Sequence, residues 1–231
     1  MFAHRGARAH APENTIPSFE LALRLGSTGL ESDVWLTADG VPVLDHDGLV
    51  RSSRFKKAPI AQFRRDQLPE HIPTLLELFE ACGTTYHLSL DLKGHDTGVA
   101  VIDTVRAHAP ELLQRLWLCH HDLDQLCALR PLDADVKLVD STRLQRIAGG
   151  PERRAARLAD EGVDGINLHQ QDWNGGLVAL FHRFGRTAFS WDLQFDHRLQ
   201  QAYRIGIDGV YSDYVDRMVD TFRTEIGSAN S

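Results

Sequence analysis

The sequence predicts an α/β fold, a closed (β/α)8 barrel with a short insertion after its second strand. Three observations point there. Short apolar runs alternate with amphipathic helical patterns along the whole chain, which calls for a parallel sheet with helical crossovers. Eight strand–helix units can be counted. The length of 231 residues suits eight such units in one barrel better than an open sheet.

Taken in order, FAHRG is the first strand. PENTIPSFELALRLG follows as a helix, with Asn14 or Thr15 as cap, Pro17 in the first turn and Gly26 at its end. GLESDVWLT is the second strand, and Asp39-Gly40 turns it into a hairpin-like extension, VPVLDHD. Residues 48–73 read as a polar, irregular insertion carrying Arg51, Arg54, Lys56, Lys57, Arg64 and Arg65. These form either a solvated loop or the rim of an anion site. IPTLLELFEACG is a helix closed by Gly83. The strands YHLSLDL, LWLCHH, VKLVD, GINLHQ, TAFSWDL and GVYSDY then alternate with helices over 97–108, 122–130, 151–161, 176–184, 196–205 and 215–225. Residues 1–225 form one domain, and 226–231 form a frayed tail.

Composition is that of a globular protein, 42% hydrophobic and 25% charged. The net charge of −7 argues against a nucleic-acid-binding protein, which needs a basic face. Three cysteines without metal-ligand spacing, Cys82, Cys119 and Cys127, read as reduced thiols. With no secretory pattern and no long apolar run, the expectation is a cytoplasmic chain without stable membrane insertion. These signals do not fix an oligomeric state.

In such barrels chemistry sits where the strands end. Glu31 and Asp33 are two apart on one strand and so share a face. Asp91 and Lys93 repeat that spacing. Three converging carboxylates repel one another. A hard divalent cation, Mg²⁺ or Ca²⁺ with Mn²⁺ also admissible, relieves that repulsion. The alternative is a set of ion pairs, Asp91 with Lys93 and Glu31 with Arg5. His4 and His46 are a candidate acid–base pair. Arg5 and Lys93 suit a phosphate oxyanion. Together these groups describe phosphodiester cleavage.

HRG at 4–6, PENT at 12–15, Glu31-x-Asp33, Thr37-x-Asp39-Gly40-x-Pro42-Val43 and His46-Asp47 resemble the glycerophosphodiester phosphodiesterases. IPTLLEL at 72–78 and GIDGVYSDY at 206–214 extend the likeness to nearly the whole chain. The resemblance implies a TIM barrel that cleaves a small glycerophosphodiester to glycerol 3-phosphate and an alcohol. It implies a metal on Glu31, Asp33 and Asp91, His4 and His46 as general acid and base, and Arg5 and Lys93 on the phosphate. It also implies Glu13 and Asn14 at the rim, with Trp191 stacking on the glycerol or the leaving group. The chain departs from the family pattern at Asp91, which replaces a glutamate. His120-His121 replace serine–phenylalanine, Asp192 replaces a threonine, and Val215 replaces a proline. A lysophospholipase D-like enzyme, a cyclising phosphodiester lyase and a weakly catalytic phosphodiester-binding barrel are further readings of the same residues.

Overall fold

A computed structural model describes residues 1–53 and 56–227. Arg54 and the tail residues 228–231 lie outside the described residues. Eight strands close a parallel barrel: β1 (Phe2–His4), β2 (Gly29–Leu36), β6 (His87–Leu92), β7 (Leu116–His120), β8 (Lys137–Thr142), β9 (Gly165–His169), β10 (Thr187–Trp191) and β11 (Gly209–Ser212). Each pairs with its neighbours in that order, and β11 returns to β1. The outer helices are α1 (Ile16–Arg24), α2 (Leu75–Cys82), α3 (Thr97–His108), α4 (Leu123–Cys127), α5 (Pro151–Asp160), α6 (Gly175–Arg183), α7 (Asp196–Arg204) and α8 (Val215–Glu225).

The insertion is more ordered than its composition suggests. β3 (Pro42–Leu44) pairs antiparallel with the end of β2, as the Asp39-Gly40 turn predicts. Beyond it, β4 (Leu49–Ser53) and β5 (Lys56–Pro59) pair antiparallel. Val43, Val50, Ile60, Leu68 and Ile72 make a small core of their own beneath them. Of the tail expected at 226–231, Ile226 packs against the main core.

Local chemistry sets the boundaries. Thr74 caps α2 by accepting from the Glu77 amide at 3.1 Å, while Glu77 accepts from the Thr74 amide at 2.7 Å. Thr15 stands at the start of α1 in extended geometry, but its hydroxyl bonds Pro12 O, so it places the turn and not the helix amides. The α4 helix is shorter than its pattern predicts, because Arg130-Pro131 starts a separate tight turn.

Alternation along the strands sorts the residues. Even-numbered positions such as Leu30, Leu90, Leu118, Leu138 and Ile166 face the helices and form the main core. Odd-numbered positions on β2 and β6–β11, and even-numbered ones on β1, face the barrel axis. Low in the barrel these are Phe2, Cys119, Val139, Phe189 and Tyr211. Phe2 stacks on Tyr211 at 4.9 Å, and Trp117 meets Phe189 edge-on at 5.0 Å. Room for these rings comes from glycine: a Cβ on Gly209 would lie 2.2 Å from the Phe189 ring. One layer higher, the inward residues are mostly polar or charged.

Candidate active site

Those upper positions open into a cavity of about 380 Å³ at the C-terminal end of the barrel, a size that suits a small ligand. The register brings the key residues together: His4 lies opposite Glu31 across β1–β2, and Asp33 opposite Asp91 across β2–β6.

His4 Nδ1 bonds Asp213 Oδ1 at 2.6 Å, which leaves Nε2 on the side of Glu31, 3.9 Å away. Burial pulls the His4 pKa down, but the Glu31 charge and the Asp213 bond outweigh it and the net shift is upward. Glu31 is itself pushed well above the usual carboxylate range, first by burial and then by the charges of Asp33 and Asp91, against the pull of His4. Its Oε2 accepts from the Arg5 amide at 3.0 Å. Arg5 adopts a left-handed backbone, φ +54°, a conformation costly for a non-glycine residue. That turn aims its amide at Glu31 and its guanidinium at Glu13, 3.2 Å away, and at Asp33, 3.5 Å away.

Lys93 stands between two carboxylates, 2.8 Å from Asp91 Oδ2 and 3.0 Å from Asp33 Oδ1. Burial opposes its charge, yet Asp91 and Asp33 raise its pKa. Of the ion pairs weighed from the sequence, Asp91–Lys93 forms. Glu31 takes the Arg5 amide in place of its guanidinium. Glu31, Asp33 and Asp91 offer hard oxygen donors, and the charges of Asp33 and Asp91, which add to burial in raising the Glu31 pKa, are ones a cation would offset. The donor chemistry thus fits a divalent ion. Among the described residues no three acidic, histidine or cysteine side chains converge closely enough to cage one. Lys93 takes that place between Asp33 and Asp91, so an ion there requires its ammonium to withdraw.

His46 sits on the cavity rim beyond β3, its side chain 43% exposed, with Nδ1 3.0 Å from Asp47. Trp191 lines the opposite wall beside His169, ring centroids 4.6 Å apart. Glu13 reaches the site only through Arg5 and Arg8. Asn14, expected at the rim, is instead buried: φ is +54° and its Oδ1 accepts from Ser32 Oγ at 2.7 Å, tying the start of α1 to the back of β2. Among the departures from the family pattern, His120 faces away from the cavity and accepts from the Asp122 amide. Asp91 and Asp192 do line it. No described residue of 48–73 lines it either. Arg64 pairs there with Asp39 and Arg65 with Glu77, as a solvated loop would.

Residues 4–217 match the glycerophosphoryl diester phosphodiesterase family. The chain belongs to that family. A glycerophosphodiester phosphodiesterase of Caldanaerobacter subterraneus subsp. tengcongensis is 36% identical, over 96% of this chain and 97% of its own length. Glycerophosphodiester phosphodiesterase 1 of Mus musculus is 35% identical over 58% of this chain and 46% of the mouse protein. Among solved structures, an Oleispira antarctica phosphodiesterase in complex with the product sn-glycerol-3-phosphate superposes with a TM-score of 0.83. It is 24% identical and covers 96% of this chain and 95% of that one. A Thermotoga maritima glycerophosphodiester phosphodiesterase gives a TM-score of 0.81 at 25% identity, over 95% and 96%. For this family member the geometry adds residues that its motifs leave unassigned. Asp213 orients His4, and Arg143, Arg146 and Asn167 line the far wall.

Proposed function

We propose that the chain hydrolyses glycerophosphodiesters to sn-glycerol 3-phosphate and an alcohol, with His4 and His46 exchanging the protons. The observation that carries this reading is the convergence of His4, Arg5, Glu31, Asp33, Asp91 and Lys93 from three adjacent strands on one cavity with His46 at its rim, in a chain of this family. Arg5 and Lys93 hold the phosphate oxygens, exchanging part of their carboxylate contacts for the substrate. Asp213 fixes the His4 ring so that Nε2 is the nitrogen available to the reacting groups. One histidine takes the proton of the attacking oxygen, that of water directly or that of the neighbouring glycerol hydroxyl, as it bonds to phosphorus; in the second case a water then opens the resulting cyclic phosphate to give glycerol 3-phosphate. The other gives a proton to the alcohol oxygen as its bond to phosphorus breaks. Trp191 packs on the carbon skeleton of the bound diester. A divalent cation, Mg²⁺, Ca²⁺ or Mn²⁺, held by Glu31, Asp33 and Asp91, would stabilise charge on the phosphoryl oxygens.

Three free cysteines fit a reducing compartment, and we place the chain in the cytoplasm on that ground. Among the described residues no helix is long and apolar enough to cross a membrane.

The test is product analysis with glycerophosphoglycerol, comparing the wild type with His46→Ala, together with calorimetric metal binding to the wild type and Asp33→Asn. Expected are glycerol 3-phosphate from the wild type, its loss in His46→Ala, and weaker metal binding in Asp33→Asn. A cyclic phosphate as the final product would replace hydrolysis with the lyase reading. Binding of the diester without turnover in any of the three metals would leave a binding barrel.

A further inference from the structure

The two sides of the cavity differ in how their cations are held. On the β1–β2–β6 side every cation is paired: Arg5 with Glu13 and Asp33, Arg8 with Glu13 and Asp213, and Lys93 with Asp33 and Asp91. Opposite them, four strands from β1 in the barrel order, β8 runs into a tight turn over Leu144–Arg146. Asp172 fixes that turn. It accepts from Arg143 Nε at 2.6 Å and Nη2 at 3.2 Å, and from the Leu144 amide at 3.1 Å. Buried Ile147 anchors its far end. The turn therefore fixes the backbone from which the exposed Arg146 side chain lines the cavity, and among the described residues no side chain pairs with its guanidinium.

A second group on this wall is also unsatisfied. Asn167 is 6% exposed and lines the cavity. Its amide reaches Ser141 Oγ at 3.5 Å, but its buried Oδ1 has no partner. A buried acceptor without a donor is costly and suits a ligand hydroxyl. Arg143 pairs with Asp172. Asp192 turns its carboxylate to His169 at 3.1 Å and to the Gln194 amide. Arg146 is the cation of this wall whose guanidinium no described side chain pairs.

We infer that Arg146 selects diesters whose leaving alcohol bears a second anion, such as another phosphate group, with a hydroxyl of that alcohol donating to Asn167. This rests on the hydrolytic reading above. The scissile phosphate is claimed by Arg5 and Lys93, and the glycerol arm carries no charge, so the anion that meets Arg146 belongs to the alcohol. A quaternary ammonium alcohol is disfavoured there. Trp191 could otherwise bind one through its face, but the Arg143 guanidinium already lies 5.9 Å from that ring and Arg146 adds a second like charge.

The experiment compares kcat/KM for bis(glycerophospho)glycerol, corrected for its two equivalent scissile bonds, with that for glycerophosphocholine, in the wild type and Arg146→Gln. The wild type is expected to favour the anionic diester by about ten-fold at low salt, with the preference shrinking as salt rises. In Arg146→Gln the ratio falls close to one. A wild-type ratio of one or below, or a ratio unchanged in Arg146→Gln, overturns the inference; a merely structural effect would lower both substrates together and leave the ratio intact. If neither diester is turned over, the hydrolytic reading fails on its own. Calorimetric Kd values for the same two compounds then decide the point. Tighter anion binding that disappears in Arg146→Gln supports the role of Arg146, and equal or absent binding overturns it.

Discussion

On β1 the inward residues are Phe2 and His4, on β10 Phe189 and Trp191, and Tyr211 on β11 is followed just past the strand end by Asp213. Two residues along the chain separate a floor of packed rings from a mouth rich in ionisable groups. The floor satisfies itself: Ser89 Oγ lies 3.0 Å from Tyr211 OH and 3.5 Å from Cys119 Sγ. The mouth does not. It keeps a carboxylate with a raised pKa, a strained arginine and a buried amide oxygen without a donor. The floor shows what a barrel interior needs for stability, and the mouth shows what it keeps in spite of stability.

Substitutions at the two levels should therefore part company. The largest expected effect is on chemistry. His4→Ala or His46→Ala should lower kcat by about 10²–10⁴-fold, read by steady-state kinetics. The thermal midpoint of His46→Ala should stay close to that of the wild type, because His46 sits exposed on the rim. Substantial unfolding of His46→Ala would erase the distinction. Phe189→Ala tests the floor. It empties the space between Phe2, Trp117 and Tyr211 and should cost about 3–5 kcal/mol in urea unfolding, with kcat per folded molecule largely kept.

Asp213→Asn sharpens the comparison, since Asp213 acts through His4. A loss of about ten- to hundred-fold in kcat is expected. The sign of the pH effect follows from the contact: the Asp213 bond raises the His4 pKa, so removing it shifts the His4 limb of the pH–rate profile to lower pH. An unmoved limb would mean that Asp213 only packs. The smallest effect lies outside the barrel. Thr74→Ala removes the α2 cap at about 1 kcal/mol without changing kcat. Burial alone would raise Glu77, but its bonds from the Thr74 amide and hydroxyl outweigh that and hold its pKa below the ordinary 4.5. Its stabilising contribution is therefore present above that pH and fades as pH falls through the lowered value. The stability gap between the wild type and Glu77→Gln, measured across pH, should close in acid.

The barrel was legible because its strands alternate in a way that survives burial. VKLVD and GINLHQ announce themselves by apolar runs, and Asp39-Gly40 by its turn chemistry. The β4–β5 hairpin was not, since RSSRFKKAP lacks an alternating apolar pattern and its pairing rests on the few apolar anchors of a satellite core. At the site, Glu31, Asp33, Asp91 and Lys93 were placed by spacing of two on a strand. The His4–Asp213 bond joins residues 209 apart in sequence and exists only because β11 closes on β1. Arg143 and Arg146 carry no motif in the sequence, and only the barrel sets them facing the cavity. Asn14 misled for a related reason: a motif gives its position in the chain, and its left-handed backbone turns the side chain inward toward Ser32.

The most direct test of the account is the release of sn-glycerol 3-phosphate from glycerophosphoglycerol by the purified chain, measured with Mg²⁺, Ca²⁺ or Mn²⁺ and after EDTA treatment. Expected are stoichiometric glycerol 3-phosphate and free glycerol with at least one of these metals, and no turnover once the metal is removed. Full activity after EDTA would contradict the assignment of Glu31, Asp33 and Asp91 to a cation, and no hydrolysis with any metal would contradict the assignment of the charged mouth to phosphodiester cleavage.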